Sequence, residues 1–228
     1  APDNDSDMEE HGEMLDANVP DAPVDTASDD GEVKVVEQGF SKLTESTYSV
    51  AFVLKNTSKT DAAAPHVNVD FVDEGGDIVA DEESGPSFSD DLIPPGAKLG
   101  IGARTYVEQS DVADLEIEVD GSAWYPDRED LGLIRVSDVA IKGGNAMTVK
   151  ISSTYDSALF RPMYYALFRD GGGKLIGGDS PRADEDYRAA VPPGTATRSL
   201  LLNEHPPKGS DLKAVKVFVP LDHFAGLS

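Results

Sequence analysis

The sequence repeats itself over nearly half its length. Val69-Asp70-Phe71-Val72-Asp73-Glu74-Gly75-Gly76, followed by Ile93-Pro94-Pro95-Gly96, returns as Ala166-Leu167-Phe168-Arg169-Asp170-Gly171-Gly172-Gly173, followed by Val191-Pro192-Pro193-Gly194. Asp73 and Asp170 lie 97 positions apart (170 − 73), and Pro94 and Pro192 lie 98 apart (192 − 94). Solenoid repeats run to roughly 50 residues at most, so this period reads as duplication of a whole small domain. A 228-residue chain then holds two domains, each near the roughly 100 residues that suffice for an independent core.

Apolar residues fall at period two in both copies. Tyr48, Val50, Phe52 and Leu54 alternate with smaller or polar neighbours; so do Val67, Val69 and Phe71, then Leu99, Ile101 and Ala103, then Leu115, Ile117 and Val119. The second copy follows with Ile134 to Ile141, interrupted by a bulge, then Met147, Val149 and Ile151, then Tyr164, Ala166 and Phe168, then Ser199 and Leu201, then Val215, Val217 and Val219. Each is the pattern of a half-buried strand bounded by turn residues. About seven short antiparallel strands in each copy predict an all-β chain of two tandem immunoglobulin-like antiparallel β-sandwiches. Single helical turns are expected near Ser110-Asp111 and Ser210-Asp211, where Ser-Asp can cap.

The net charge of −24 is unevenly spread. Residues 1–32 carry twelve acids and no Lys or Arg, while residues 33–228 carry thirty-one acids against nineteen bases, so half the charge sits in one seventh of the chain. With few apolar residues to offset its ordering entropy, 1–32 is expected to be a disordered acidic tether with weak cation binding. The domains expected are 33–121 and 131–228, joined by a polar linker, 122–130. An acidic chain lacking a basic cluster is not expected to bind nucleic acid or anionic lipid. It has no cysteine and no apolar run of about 18 residues, so neither disulfides nor a membrane-spanning helix are expected.

The candidate chemistry divides into turns and faces. Asp73, Asp77 and Asp170 could be calcium ligands, but Lys174 replaces Asp77 in the second copy, which favours glycine-dependent hairpins. Asp3 to Asp7 lacks the glycine and closing glutamate of an EF-hand loop. Met8, His11 and Met14 are evenly spaced soft copper ligands, read as accidental, and His66, His205 and His223 show no metal-ligand spacing. Asn56-Thr57-Ser58 is a glycosylation sequon read as a strand-ending turn. No nucleophile elbow, zinc-protease motif or complete phosphate loop occurs, so no catalytic, cofactor or metal residue is expected. Trp124 and Tyr125 are expected at the junction, wedging the two domains or meeting a partner. Tyr165, pointing away from Tyr164 and Phe168, is expected to mark an exposed interaction face.

On Val69-Asp70-Phe71-Val72-Asp73 with Gly75-Gly76, and Leu167-Phe168-Arg169-Asp170 with Gly172-Gly173, the chain resembles the small immunoglobulin-like domains of bacterial envelope proteins known for a Phe-x-Leu-Tyr-Asp (FxLYD) signature. Neither copy has the Leu-Tyr pair. The resemblance implies an exported protein, extracellular or attached to the cell envelope, with a lipid anchor upstream as one means of attachment. It brings no catalytic residues. The expected function is therefore non-enzymatic: a protein-interaction or structural module whose partner is another envelope or exterior protein. The alternatives are a binding protein for divalent metal or carbohydrate, and an enzyme with a site on its loops.

Overall fold

The computed structural model describes residues 31–80, 91–108, 112–126, 131, 134–156, 158–159, 162–183 and 190–222. The expectations for residues 1–30, including Met8, His11 and Met14, and for Ser110-Asp111, His223 and residues 127–130 of the linker lie outside the described residues. All regular structure among the described residues is β. The first half contains β1 (Val33–Lys42), β2 (Thr47–Asn56), β3 (Ala62–Val72), β4 (Ile78–Ala80), β5 (Asp91–Leu92), β6 (Lys98–Tyr106) and β7 (Asp114–Tyr125). The second contains β8 (Ile134–Ile141), β9 (Ala146–Ser153), β10 (Tyr165–Arg169), β11 (Leu175–Asp179), β12 (Arg182–Ala183), β13 (Gly194–Leu201), β14 (Lys216–Phe218) and β15 (Leu221–Asp222).

Every strand pairing is antiparallel, and the halves pair alike: β1-β2-β6 and β4-β3-β7 in the first, β8-β9-β13 (extended by β12) and β11-β10-β14 in the second. A small β5–β15 ladder joins the halves. The irregularity expected in the 134–141 strand lies between Ser137 and Ala140, where Asp138 has a φ of 50°.

The four sheets stack face to face in the order β4-β3-β7, β1-β2-β6, β11-β10-β14, β12-β13-β9-β8. Phe52, Leu54, Phe71, Ile101 and Leu115 fill the first gap, and Met147, Val149, Ile151, Phe168 and Leu200 fill the last. Tyr165, Leu167 and Leu175 belong to the same core as the first-half residues, so the middle gap between the halves is filled by buried apolar side chains like the outer two. This corrects the half-buried reading of the strand at Tyr48–Leu54: Ala51 and Val53 are as buried as Phe52 and Leu54, because the second half covers their face.

Glycine sets the spacing of that middle gap. A Cβ on Gly178 would stand 2.5 Å from the Gly102 Cα, and one on Gly100 would meet the Leu167 side chain at 2.7 Å. Glycine in a strand interior costs conformational entropy but permits this approach of one backbone to another. Ser49 Oγ donates to the Gly178 carbonyl at 2.7 Å and accepts from Gly178 N–H at 2.9 Å across the gap. Glu37 and Arg169 form an ion pair at its margin.

Two further expectations change. Residues 122–125 belong to β7 and not to a linker, since β3 reaches back to Ala62 and offers Ala62 to Pro65 as their ladder partners. Ser199 and Leu201 are not the inward residues of β13; Leu200 is, an even number of residues after Gly194, whereas the inward Leu99, Ile101 and Ala103 of β6 stand an odd number after Gly96, so the strand leaves the second turn one residue out of step with the first. After the Pro-Pro-Gly turn the working offset is therefore 97, not 98.

Candidate interaction groove

The three aromatic residues expected at an interaction surface are all buried. Trp124 and Tyr125 close the β3–β7 ladder, opposite Ala63 and Ala62. Tyr125 packs with Ala62, Ala64 and Leu92 and with Leu131, which follows the junction; Leu221 of the second half lies against the same cluster. Tyr165 points away from Tyr164 as expected, yet is only 4 % exposed, because the face it occupies is the one docked on the first half. Its hydroxyl donates to Asp91 Oδ2 at 2.7 Å, again joining the halves. Burial, then the Asp91 charge and this hydrogen bond, push the Tyr165 phenol far above its ordinary range; burial also raises Tyr164, partly offset by Arg198. Tyr165 is thus an interaction residue, but the interaction is internal.

The Asp-Gly turns are hairpins built alike. Asp73 Oδ1 accepts from the N–H of Gly75 and of Asp77 at 2.8 and 3.0 Å; Asp170 Oδ1 accepts from Gly172 and Lys174, both at 2.9 Å. Gly76 (φ 84°) and Gly173 (φ 85°) supply the left-handed residue in each. The carboxylates are committed to their own backbones, and Lys174 contributes only an N–H, which is why it can replace Asp77. No group of three or more His, Asp or Glu able to hold a metal occurs among the described residues. Asn56 is fully buried, donating to the carbonyls of Asp61 and Ile93 at 2.8 and 3.0 Å and accepting from Ser58 N–H, so the sequon is a structural turn. Near Ser210, Asp211 Oδ1 accepts from Lys213 N–H, capping a turn but no helix.

A wide concavity lies elsewhere, where three sheet edges converge. Among the described residues β6, β8 and β14 each pair on one side only, and those edges border a groove of about 730 Å³. Its floor is apolar: Val215 and Val217 are buried, and Ile134, Val136, Val139 and Phe218 are half-exposed. Its rim carries Lys98, Arg135, Lys213 and Lys216, all exposed and none with an ion-pair partner among the described residues. Asp138 is the one acid lining it among the described residues, and it stands 3.7 Å from Lys150 outside the groove. Four unpaired cations around an apolar floor are conspicuous on a fold whose residues 33–228 sum to −12. Strand edges with free N–H and C=O groups can accept one further strand, whose alternate side chains would meet the floor and the rim.

These residues escape the sequence because they come from three separate strands; no local cluster exists to be seen. Lys213 and Lys216 interleaved with Val215 and Val217 are the one local hint. The glycines of the middle gap left a clearer sign, Gly100-x-Gly102 and Gly177-Gly178 inside strand patterns.

No family model matches the sequence and no curated protein is similar to it. Among solved structures the chain is similar to red sea bream transglutaminase, at 16 % identity over 82 % of this chain, with a TM-score of 0.25. The chain spans about a third of that protein's length (31 %), and a score this low carries no argument about fold or activity.

Proposed function

We propose that this protein is a non-enzymatic, exported module of two immunoglobulin-like sandwiches, extracellular or attached to the cell envelope, that acts by binding another polypeptide. The shared strand order and the atom-for-atom likeness of the two hairpins support duplication of one sandwich, as does the FxLYD-type resemblance of both copies. The groove carries the functional reading. Open edges on β6, β8 and β14 around an apolar floor, rimmed by four unpaired cations, suit an extended acidic strand and not a small metal or sugar.

A thermal-shift series tests this. An acidic peptide with alternating valines should raise the melting temperature by mass action, and a lysine counterpart, Ca²⁺, Cu²⁺ and glycans should not. A shift with a metal or glycan, and none with the acidic peptide, would transfer the assignment to a ligand-binding protein.

A further inference from the structure

The start of the described fold lies close to the groove. Glu32, at the start of the described fold, accepts through its carbonyl from Thr57 N–H and receives the Thr57 hydroxyl; Gly96 N–H in turn donates to the Ser58 carbonyl. Ala97, next to Gly96, lines the groove. Two strand spacings, roughly 10 Å, therefore separate the start of β1 from the groove's near wall. The way between them is basic. Lys34, Lys55 and Lys98 stand directly opposite one another across β1, β2 and β6, so their side chains share one face, and Lys216, Lys213 and Arg135 lie beyond. Lys34 pairs with Glu32, while Lys55 and Lys98 have no ion-pair partner among the described residues.

We propose that residues 1–30 of this same chain dock in the groove. The proposal rests on the groove being the binding surface. Residues 1–30 carry eleven acids and no base, with Met8, Met14, Leu15, Val19 and Val24 among them, which is the chemistry the rim and floor call for. A tethered segment meets its site at an effective concentration on the order of millimolar, so modest contacts suffice for occupancy in cis. An outside partner with a similar acidic strand would have to displace it.

The test uses the full chain in three forms: unaltered, with the eleven acids of residues 1–30 changed to their amides, and with Lys213→Glu and Lys216→Glu together. Amide hydrogen exchange should be slowest at the free edges of β8 and β14 in the unaltered chain and faster in both variants. A synthetic peptide of residues 1–30 should bind the amide variant, with affinity falling about tenfold or more in about 0.5 M salt, where exposed charges are screened. Lys213 and Lys216 are exposed, so that variant should melt like the unaltered chain; Lys98→Glu gives an independent second variant. Unchanged exchange together with no peptide binding at low salt would overturn the proposal. Protection that vanishes on dilution would overturn it too, by assigning the groove to the segment of a second copy. If the valine-alternating acidic peptide binds the unaltered chain and the amide variant equally and the Lys213→Glu, Lys216→Glu form weakly, while the peptide of residues 1–30 binds none of them, the docking fails and the interaction surface stands.

Discussion

Gly102→Ala probes the feature on which the stack depends. The added Cβ would stand 2.8 Å from Asp179 N and 3.0 Å from Asp179 O, and nearer still to the Ala166 carbonyl oxygen. All three are backbone atoms of β10 and β11, so no side chain can swing aside. Ordinary contact requires about 3.5–4 Å, so the two middle sheets must part locally by roughly 0.5–1 Å, a gap that forfeits about a quarter to a half of each neighbouring dispersion contact. Overpacking of this kind costs about 1–3 kcal/mol. Loss of glycine's freedom in the unfolded chain returns about 0.4–1 kcal/mol, so the net loss should be about 1–2 kcal/mol. For a chain of this size that is a fall of about 2–8 °C in the melting temperature, read by circular dichroism. Gly121→Ala is the control: a Cβ there meets nothing within 4 Å, and the melting temperature should stay or rise slightly. If Gly102→Ala melts at or above the unaltered chain, the middle gap is not packed as described.

Three further outcomes follow from the same structure. Asp179, fully buried, accepts from Ser180 N–H, Asn203 N–H and Asn203 Nδ2 and lies 3.4 Å from Arg104 Nη2; Asp179→Ala leaves that nearly buried guanidinium only the half-exposed Glu204, 4.0 Å from its Nη1, as counter-charge and should cost about 3–5 kcal/mol in chemical denaturation, since breaking a buried pair costs more than the pair contributes. Tyr164 and Tyr165 have raised phenol pKa values in the fold, so their contribution is intact below the unfolded value near 10 and is lost as pH rises above it; Tyr165 should make stability fall by about 1.4 kcal/mol per pH unit there, and Tyr165→Phe should remove most of that slope. Gly173→Val places a β-branched residue at a φ of 85° and should destabilise by about 1–3 kcal/mol, as should Gly76→Val at 84°; equal costs in urea titration would support equivalence of the two hairpins.

Local pattern made the strands legible, because alternation and turn chemistry are written into neighbouring residues. Val67, Val69 and Phe71, and Tyr164, Ala166 and Phe168, are buried as their period predicts. Pairing order within each half was not readable residue by residue, and the burial of second faces was hidden entirely, since it depends on one half covering the other. Tyr165 shows the difference: its direction followed from alternation, but its exposure depended on a surface about 100 residues away in sequence. The groove was hidden for the same reason, its cations being contributed by β6, by β8, by β14 and by the turn before β14.

Aligning the halves at an offset of 97 explains why the stack has four layers and then stops. On β2 and β6 the outward residues are Ser49, Ala51, Val53, Gly100 and Gly102, small or apolar and buried or in close contact with the second half; their counterparts on β9 and β13 are Ala146, Thr148, Lys150, Thr197 and Ser199, which face outward on the terminal sheet. On β3 the outward residues Asn68 and Asp70 correspond to Tyr165 and Leu167 of β10, which fill the middle gap. Each sheet that docks is therefore small or apolar on its second face, and each terminal sheet is polar there. Face-to-face addition of a further sheet would bury Asp70, Glu116, Glu118 or Lys150 without partners, at a cost that unpaired charges do not recover. Growth is blocked through the faces but not through the edges, and the apolar, cationic groove lies at the edges of β6, β8 and β14. A partner that joins this protein should accordingly be strand-like and acidic, not another sheet.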